Sequence, residues 1–303
     1  MADPPRADPP PSSRLLDSAF LQRLETLSLL SRKRFRGTQR GDRRSLALGR
    51  GLEFDDYRAY QLGDDYRYID WHVVSRLDRL FVKIFSEEED LDVSLLVDTS
   101  RSMAAGTPSK LTLAKQLAAA IGYIGLVNLD RVGVSAFAST VESRLERLRG
   151  RARAFDLLRY LEGLEPSGET DLALVMRLHT GTVRRRGMLI LLTDLLDPRG
   201  YERALLLARH RRLQIYLIHI LADDEIAPLL AGDLRLIDVE TRRAVEITVD
   251  AEALRAYAST RDAFLRGIER FCFRHGIDYL RSTTSVPLDR LVLRWLRQGG
   301  LLQ

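Results

Sequence analysis

The sequence predicts an α/β fold: a doubly wound, mostly parallel sheet with a small accessory subdomain on its N-terminal side. Short apolar runs such as residues 93–97 recur along the chain and have the composition of strands buried on both faces. Between them, segments such as residues 111–129 repeat their apolar side chains with the period of helices that pack on a sheet. Strands that alternate with helices indicate parallel βαβ units, and therefore this fold class.

The N-terminal part of the chain differs in character from the rest. Residues 1–13 are rich in proline and are expected to be disordered. Residues 14–30 carry leucines at helical spacing and predict an amphipathic helix. A basic linker follows, and residues 50–90 are rich in aromatic side chains, glycine and charge, which suggests short strands and turns. We assign residues 14–89 to this helix, the linker and the accessory subdomain.

The sheet-and-helix domain is expected to cover residues 90–303. In chain order, its strands are predicted at 93–97, 132–137, 188–192, 215–220 and 278–281, and its helices at 111–129, 152–161, 172–183, 202–210, 253–275 and 288–297. Residues 234–249 alternate around residues 240–243 like a hairpin, which we expect at an edge of the sheet.

Composition excludes several classes of protein. The single cysteine, Cys272, rules out an intrachain disulfide and lies in an apolar run, so we expect it in the core. The longest apolar stretch ends after about 13 residues, too few to cross a bilayer. No targeting signal is evident, and we therefore expect a cytoplasmic protein.

The formal net charge is +5, and the residues between 32 and 50 are strongly basic. Such a run can bind nucleic acid, anionic lipid or an acidic protein face, or it can simply be a solvated linker. Only Phe35 could stack on a base within it, which argues against nucleic-acid binding.

Polar residues follow the predicted buried strands, at the edge where open parallel sheets bind ligands. Asp98, Ser100 and Ser102 are two residues apart after the first strand, so a turning loop can bring their oxygens together. Thr170 lies in a glycine-containing loop that opens a helix, and Asp194 follows a later strand. We identify these five residues as candidate metal ligands.

Hydroxyl and carboxylate oxygens suit a hard cation. Mg²⁺ prefers about six oxygens near 2.1 Å, although Mn²⁺ or Ca²⁺ is also possible. Because hydroxyls bring no negative charge, the ion stays electrophilic and favours an external carboxylate. The alternative is that Ser100 and Thr170 only cap helices.

The five positions resemble the metal-ion-dependent adhesion site of von Willebrand factor A (VWA) domains, whose fold is Rossmann-like. The resemblance implies that Asp98, both serines and Thr170 surround Mg²⁺ directly or through water, and that Asp194 completes the shell. It also implies that a partner's acidic residue fills the last position. Glu169 departs from the pattern, since many such domains have glycine before the threonine; it could alter the local charge without abolishing binding.

The upstream segment is similar to a bacterial family catalogued as domain of unknown function fifty-eight. Members pair this segment with a VWA domain and are typically encoded beside MoxR-type AAA+ ATPases. Residues 72–75 depart from the small residues usual there. The candidate partner-binding residues in this segment are Glu53, Arg58, Asp64, Arg67, Asp70, Trp71 and Arg76.

Two interpretations of this segment stay open. In the first, its charges pair within a compact subdomain that Phe54, Tyr60 and Trp71 anchor through apolar contacts. In the second, its surface recognises the ATPase.

The leading hypothesis is a metal-dependent protein-binding module rather than an enzyme. It would act as an adaptor or co-chaperone with a MoxR-type ATPase, on a client that offers an acidic residue to the metal. A metal-dependent hydrolase or phosphoryl-transfer enzyme is the first alternative, but the sequence has no P-loop, and His210 and His219 are expected at a helix end and in a strand. A basic membrane-surface or nucleic-acid-binding protein is the second.

Overall fold

The computed structural model describes residues 15, 16, 20, 24, 53–61, 64–77, 79–86, 91–183, 187–211 and 213–298. The chain divides into two compact units: residues 36–90 form the smaller one, and residues 1–35 and 91–303 form the larger one. Most of the predicted helix at 14–30 lies outside the described residues, as do the tail at 1–13 and the basic run at 32–50. Leu16, Phe20 and Leu24 are buried in the core of the larger unit, whereas the prediction grouped them with the accessory subdomain.

The smaller unit contains a two-stranded sheet and short helical segments. Strand β1 (Glu53–Ala59) pairs antiparallel with β2 (Phe81–Ser86). Between them lie a 3₁₀ turn at Tyr66–Tyr68 and helix α1 (Trp71–Leu77). The strands and turns were predicted, but α1 was not, because seven residues are too few to show a helical period.

The larger unit is built on a six-stranded sheet in the order β10-β7-β6-β3-β4-β5. Five strands run parallel, and β5 at one edge is antiparallel to β4. The strands are β3 (Asp92–Asp98), β4 (Arg131–Phe137), β5 (Val141–Leu148), β6 (Gly187–Thr193), β7 (Gln214–Leu221) and β10 (Asp278–Thr283). Every residue of the central β3 and β6 is buried, as their apolar sequences predict.

Helices cover both faces of this sheet. They are α2 (Lys110–Val127), α3 (Ala154–Glu162), α4 (Leu172–Thr182), α5 (Glu202–His210), α6 (Asp223–Ile226), α7 (Ala251–His275) and α8 (Leu288–Gln298). One core cluster joins α2, α3 and α8 to the sheet, and a second joins α4, α5 and α7 to the sheet. The predicted doubly wound, mostly parallel α/β fold is therefore confirmed.

Cys272 of α7 is buried in the second cluster, as expected. Burial raises the pKa of its thiol to about 12, so the side chain behaves as a small apolar group.

Two features of the strands differ from the prediction. The sequence did not predict β5, because most of its side chains are charged or polar and face solvent at the sheet edge. Strands β8 (Gly232–Ile237) and β9 (Ala244–Val249) form the predicted hairpin, but its expected place at the edge of the main sheet was wrong. The two strands pair with each other as a separate sheet.

Candidate metal site

The candidate carboxylates lie together at the carboxyl-terminal edge of the main sheet, where the neighbouring strands β3 and β6 end. We call this edge, with the loops that follow β3 and β6 and the loop that contains Thr170, the rim. Asp98 is the last residue of β3, and Asp194 follows the end of β6. The two strands pair in parallel with Val97 opposite Leu192, so their carboxyl ends coincide. Both aspartates are fully buried. The remaining three candidates are buried as well: Ser100, Ser102 and Thr170.

The loop after β3 is held in a specific turn. One carboxylate oxygen of Asp98 accepts a hydrogen bond from the backbone N–H of Ser100 at 2.9 Å, and the other accepts one from the Thr193 hydroxyl at 2.6 Å. The Ser100 and Ser102 hydroxyl oxygens are 3.0 Å apart. Two adjacent ligands of an octahedral Mg²⁺ with bonds near 2.1 Å are also about 3.0 Å apart. The two hydroxyls are hydrogen-bonded to each other at this distance, and the same separation would suit adjacent ligands of such an ion.

The loop that contains Thr170 lies against this turn. The backbone N–H of Ser167 donates to the Thr99 carbonyl at 2.6 Å, and that of Arg101 donates to the Gly168 carbonyl at 3.2 Å. Gly168 has a φ of 67°, a conformation that favours glycine at this position. These backbone contacts fix the two loops side by side.

Helix capping does not explain the serine and the threonine. Asp171 caps α4 by accepting from the Leu174 N–H, and the Ser100 side chain makes no capping hydrogen bond. The Thr170 hydroxyl donates to Glu240 at 3.2 Å. Within the described residues, the structure joins Asp98, Ser100 and Ser102 by hydrogen bonds, while Thr170 faces Glu240 on the hairpin.

The buried carboxylate of Asp98 accepts its hydrogen bonds from neutral groups. Burial itself, and then the charge of Asp194, raise the pKa of Asp98 to about 7, while hydrogen bonds from Thr193 and Ser100 act in the opposite direction. Those hydrogen-bond donors are neutral groups. A divalent cation bound here would relieve the unfavourable charge, so the residues present fit such an ion.

A buried lysine lies beside the second carboxylate. The Lys110 ammonium donates to Asp194 at 2.7 Å and to Glu225 of α6 at 2.5 Å. Burial acts to lower the pKa of Lys110, but the charges of Asp194 and Glu225 outweigh it and raise the pKa. The other Asp194 oxygen accepts from the Leu196 N–H at 3.1 Å. Asp194 is therefore already paired and satisfied by the protein itself.

The sequence prediction missed Lys110, Glu225 and Glu240. One signal was present: Lys110 is one of only four lysines in a chain whose other basic residues are arginines, and it begins the helix after the Asp98 loop. Neither glutamate had a comparable signal.

His219 is buried in β7, as its predicted strand position implies, and His210 ends α5. The His219 ring nitrogens lie 3.0 Å from the Asp194 carbonyl oxygen and 2.9 Å from the Tyr279 hydroxyl. Burial lowers the pKa of this imidazole to about 4. Both nitrogens thus have partners other than Ser100 and Ser102, so His219 is not placed to act as a base for either serine.

The candidate partner-binding residues of the smaller unit form local contacts. Arg58 pairs with Asp64 at 2.7 Å, and the Tyr57 hydroxyl donates to the buried Asp70 at 2.8 Å. Asp70 also accepts from the His72 N–H at the start of α1. These contacts agree with the interpretation that the charges pair within the subdomain.

Other residues of the smaller unit face solvent. Trp71 is 63% exposed, so its predicted role as an apolar anchor was wrong; it begins α1 on the solvent side. Arg67 is exposed and pairs with Asp65 at 2.7 Å, and Arg76 is exposed. The Glu53 and Phe54 side chains lie outside the described part of the structure.

Two features of the described residues bear on metal binding and on membrane insertion. No group of three or more histidine, cysteine, aspartate or glutamate side chains among them is placed to hold a metal ion. An ion at this rim would therefore depend on the serine and threonine hydroxyls. No helix within the described ranges is both long and apolar enough to span a bilayer.

The strand order, the antiparallel edge strand and the polar loops at the carboxyl edge define a doubly wound α/β domain. More particularly, the chain belongs to the family described as "Protein of unknown function DUF58", whose model matches residues 56–264. The family resemblance given by the sequence is thus confirmed.

Uncharacterized proteins of Mycobacterium bovis and Mycobacterium tuberculosis are 30% identical to this chain over 285 residues. The match covers 92% of this chain and 86% of each relative. Their names assign no activity.

Two solved structures are similar to the chain. The conserved hypothetical protein BatB from Bacteroides thetaiotaomicron has a TM-score of 0.40 and 16% identity, covering 69% of this chain and 99% of its own. The VWA domain of SpRpn10 has a TM-score of 0.38 and 11% identity, covering 71% and 98%. With TM-scores below 0.5, neither likeness bears on function.

Proposed function

We propose that this chain is a metal-dependent protein-binding module that holds Mg²⁺ at the rim of the main sheet and binds an acidic residue of a client protein. Mn²⁺ or Ca²⁺ are other ions that the same oxygens could hold. The observation that carries the proposal is the pair of buried serine hydroxyls, 3.0 Å apart, beside the buried carboxylate of Asp98. The proposed ligand residues are Asp98, Ser100, Ser102, Thr170 and Asp194.

The charges at the rim explain why an acidic client is the expected ligand. Asp194 is paired with Lys110, which also pairs with Glu225, and the hydroxyls of the two serines carry no charge. Asp98 is then the one carboxylate of the five proposed ligands that is left to offset a divalent ion. The bound ion would supply a net positive, electrophilic centre at the rim, and a client carboxylate is the complementary group.

Asp194 would act at a distance from the ion. Its two oxygens already accept hydrogen bonds from Lys110 and Leu196, but a carboxylate has about four lone-pair sites and can still accept from an ion-bound water. The role of Lys110 is then to hold Asp194 in place and to limit the negative charge at the rim.

We further propose that the module acts as an adaptor or co-chaperone with a MoxR-type AAA+ ATPase. The support is the family membership of the chain together with the signature of the smaller unit. Under this proposal the rim binds the client, and exposed residues of the smaller unit, such as Arg67, Trp71 and Arg76, are available to the ATPase.

Calorimetric titration with Mg²⁺ and Mn²⁺ tests the metal site. The purified chain is compared with Asp98→Asn, which keeps the size of the side chain but removes its charge. Asp156→Asn on α3 is the matched control, since its carboxylate is partly exposed and pairs locally with Arg153. We expect the wild type and the control to bind the ion, and Asp98→Asn to lose at least about tenfold in affinity.

Pull-down of the ATPase and of an acidic client by the purified chain, in Mg²⁺ and in EDTA, tests the two proposed partners. We expect capture of an acidic client to require both the metal and Asp98. Equal client binding in Mg²⁺, in EDTA and by a folded Asp98→Asn protein would refute the metal-dependent module.

A further inference from the structure

The β8–β9 hairpin is an exposed element with a buried acidic tip. Nearly all side chains of the two strands face solvent, including Val245 at 62% exposure. Glu240 in the connecting turn is 9% exposed. An apolar residue is what normally anchors a hairpin, so a buried carboxylate in this position requires a partner.

The Glu240 carboxylate lies against a proposed metal ligand. One of its oxygens accepts from the Thr170 N–H at 3.1 Å, and the other accepts from the Thr170 hydroxyl at 3.2 Å. The guanidinium of Arg101, in the Asp98 loop, approaches only the backbone carbonyl of Glu240, at 3.5 Å. The hairpin tip therefore sits on the two loops that form the rim.

The turn is built to present this side chain. The Asp238 carboxylate accepts from the N–H groups of Glu240 at 2.8 Å and Thr241 at 2.9 Å. Arg242 takes a φ of 61°, and its N–H donates to the Asp238 carbonyl. These contacts fix the backbone on both sides of Glu240 without using its carboxylate.

The Glu240 carboxylate has no ion pair among the described residues. Its partners are a backbone N–H and a hydroxyl, both neutral. Asp98 at the same rim is also hydrogen-bonded to neutral donors, and Lys110 is shared between Asp194 and Glu225. Among the described residues, the cations near these four buried or half-buried carboxylates are the Lys110 ammonium and the Arg101 guanidinium, which donates to the backbone carbonyl of Glu240. A divalent cation bound at the rim would offset the remaining negative charge.

We propose that Glu240 is an internal acidic ligand of the metal site, and that the β8–β9 hairpin covers the site until a client carboxylate displaces it. The inference rests on the proposed function and deepens it, because it identifies what occupies the acid position when no client is bound. Glu240 supplies the same functional group as the client and reaches the rim through Thr170.

Displacement is physically reasonable because the hairpin carries little of the core. Most of its side chains are solvated whether the tip is docked or released, so release exposes few apolar groups. Being tethered, Glu240 competes at a high effective concentration, of the order of mM or above. A client must therefore offer contacts beyond a single carboxylate, which gives the module selectivity for its true partner.

Metal affinity and hairpin exchange test the proposal in the full chain. Glu240→Gln keeps the size of the side chain and one of the two oxygens that accept from Thr170, but removes the charge. Glu246→Gln, an exposed acid on β9 of the same hairpin, is the matched control. We expect Glu240→Gln to weaken Mn²⁺ binding by about 10- to 100-fold, and the control to bind as the wild type does.

Hydrogen exchange measured by mass spectrometry follows the hairpin itself. Mg²⁺ should slow amide exchange in residues 238–243 of the wild type and of Glu246→Gln, but not of Glu240→Gln. Wild-type Mn²⁺ affinity in Glu240→Gln, with hairpin exchange that is insensitive to the metal, would show that Glu240 is only a structural anchor and would overturn the proposal.

Water proton relaxation by bound Mn²⁺ tests the displacement. In Glu240→Gln a water should replace the carboxylate, so relaxation per bound ion rises, and acetate should lower it again. In the wild type, acetate at the same concentration should have a smaller effect. An identical response of both proteins to acetate would count against an internal ligand.

The outcomes separate this inference from the proposed function. Mn²⁺ binding that depends on Asp98 but not on Glu240 would overturn only the internal ligand. Absence of metal binding by the wild type would overturn both.

Discussion

The rim of the main sheet and the smaller unit both hold several charged residues, but in different surroundings. At the rim, Asp98, Asp194 and Lys110 have no solvent exposure. In the smaller unit, Arg67 pairs with Asp65 in solvent, and Arg67 retains 72% of its side-chain exposure. Both regions therefore contain charge pairs, but the Lys110–Asp194 pair is removed from water, whereas the Arg67–Asp65 pair is not.

This difference in burial determines whether a substitution changes stability, ligand binding or both. Coulomb energies are small at a solvated surface and several times larger in a buried site. A change at the rim should therefore alter stability and ligand binding together. A change on the exposed surface of the smaller unit should leave the fold intact, so an effect on binding can be interpreted directly.

The largest expected effect is the loss of the buried ammonium. Lys110→Met keeps the length of the side chain but leaves the buried carboxylate of Asp194 without its cation. Breaking a buried pair in this way costs about 3–5 kcal/mol of unfolding free energy. Urea denaturation measures the loss.

Lys115→Met is the matched control for this variant. Lys115 lies on the same helix, and its ammonium reaches the carbonyl groups of Glu162 and Leu164 at the end of α3. Similar losses in both variants would show that the rim is not distinct from the rest of the larger unit. If the Lys110→Met protein regains stability in Mg²⁺, the divalent ion can replace the missing charge.

The sequence predicts the main sheet and the rim well, because local patterns determine both. The runs that became β3 and β6 are apolar throughout, and polar residues follow each run at its carboxyl end. Parallel pairing then places Asp98 and Asp194 together without further information. Five candidate ligands could be named on this basis alone, and all five are buried at or near the rim.

The rest depends on contacts between distant parts of the chain. Glu240 is 70 residues from Thr170, and Glu225 is 115 residues from Lys110. Neither pairing leaves a periodic signal. The exposure of Trp71 was missed for a different reason, because a single short helix does not show which side faces the solvent. Patterns in a single sequence therefore do not show which charged or polar residues meet in the folded protein.

A buried histidine outside the rim shows how burial and nearby charges shift the pKa of a side chain. His179 of α4 is 6% exposed, and its Nε2 atom has no hydrogen-bond partner within the described residues. Burial, and then the charges of Arg144 and Arg147, lower its pKa from 6.5 to about 4. Between these values the unfolded chain binds a proton that the folded protein does not. The stabilisation is therefore present above pH 6.5 and is lost as the pH falls toward 4.

From this shift, His179 should account for about 2 kcal/mol of the stability lost between pH 7 and pH 5. His179→Leu removes the titrating group and should reduce the loss by that amount. Urea unfolding at both pH values measures the difference. Equal losses in the variant and the wild type would show that burial outside the rim does not shift a charge in the expected way.

The smallest expected effect on stability is at the exposed surface of the smaller unit. Arg67→Ala removes a guanidinium that contacts only the neighbouring Asp65 within the described residues, so thermal unfolding should not change measurably. Asp70→Ala is the contrasting variant, since Asp70 is buried and accepts from Tyr57 and the first turn of α1. We expect it to lose about 1 kcal/mol, as for a helix N-cap.

Binding to the ATPase then decides between the two interpretations of the smaller unit. If its surface recognises the ATPase, Arg67→Ala should weaken capture while its unfolding temperature stays that of the wild type. If the charges only support the fold, Arg67→Ala should bind normally, and only Asp70→Ala should change, through stability. A destabilised Arg67→Ala protein would contradict the difference that we expect between the two regions. It would mean that the solvated Arg67–Asp65 pair contributes as much to the free energy of unfolding as we expect of a buried pair.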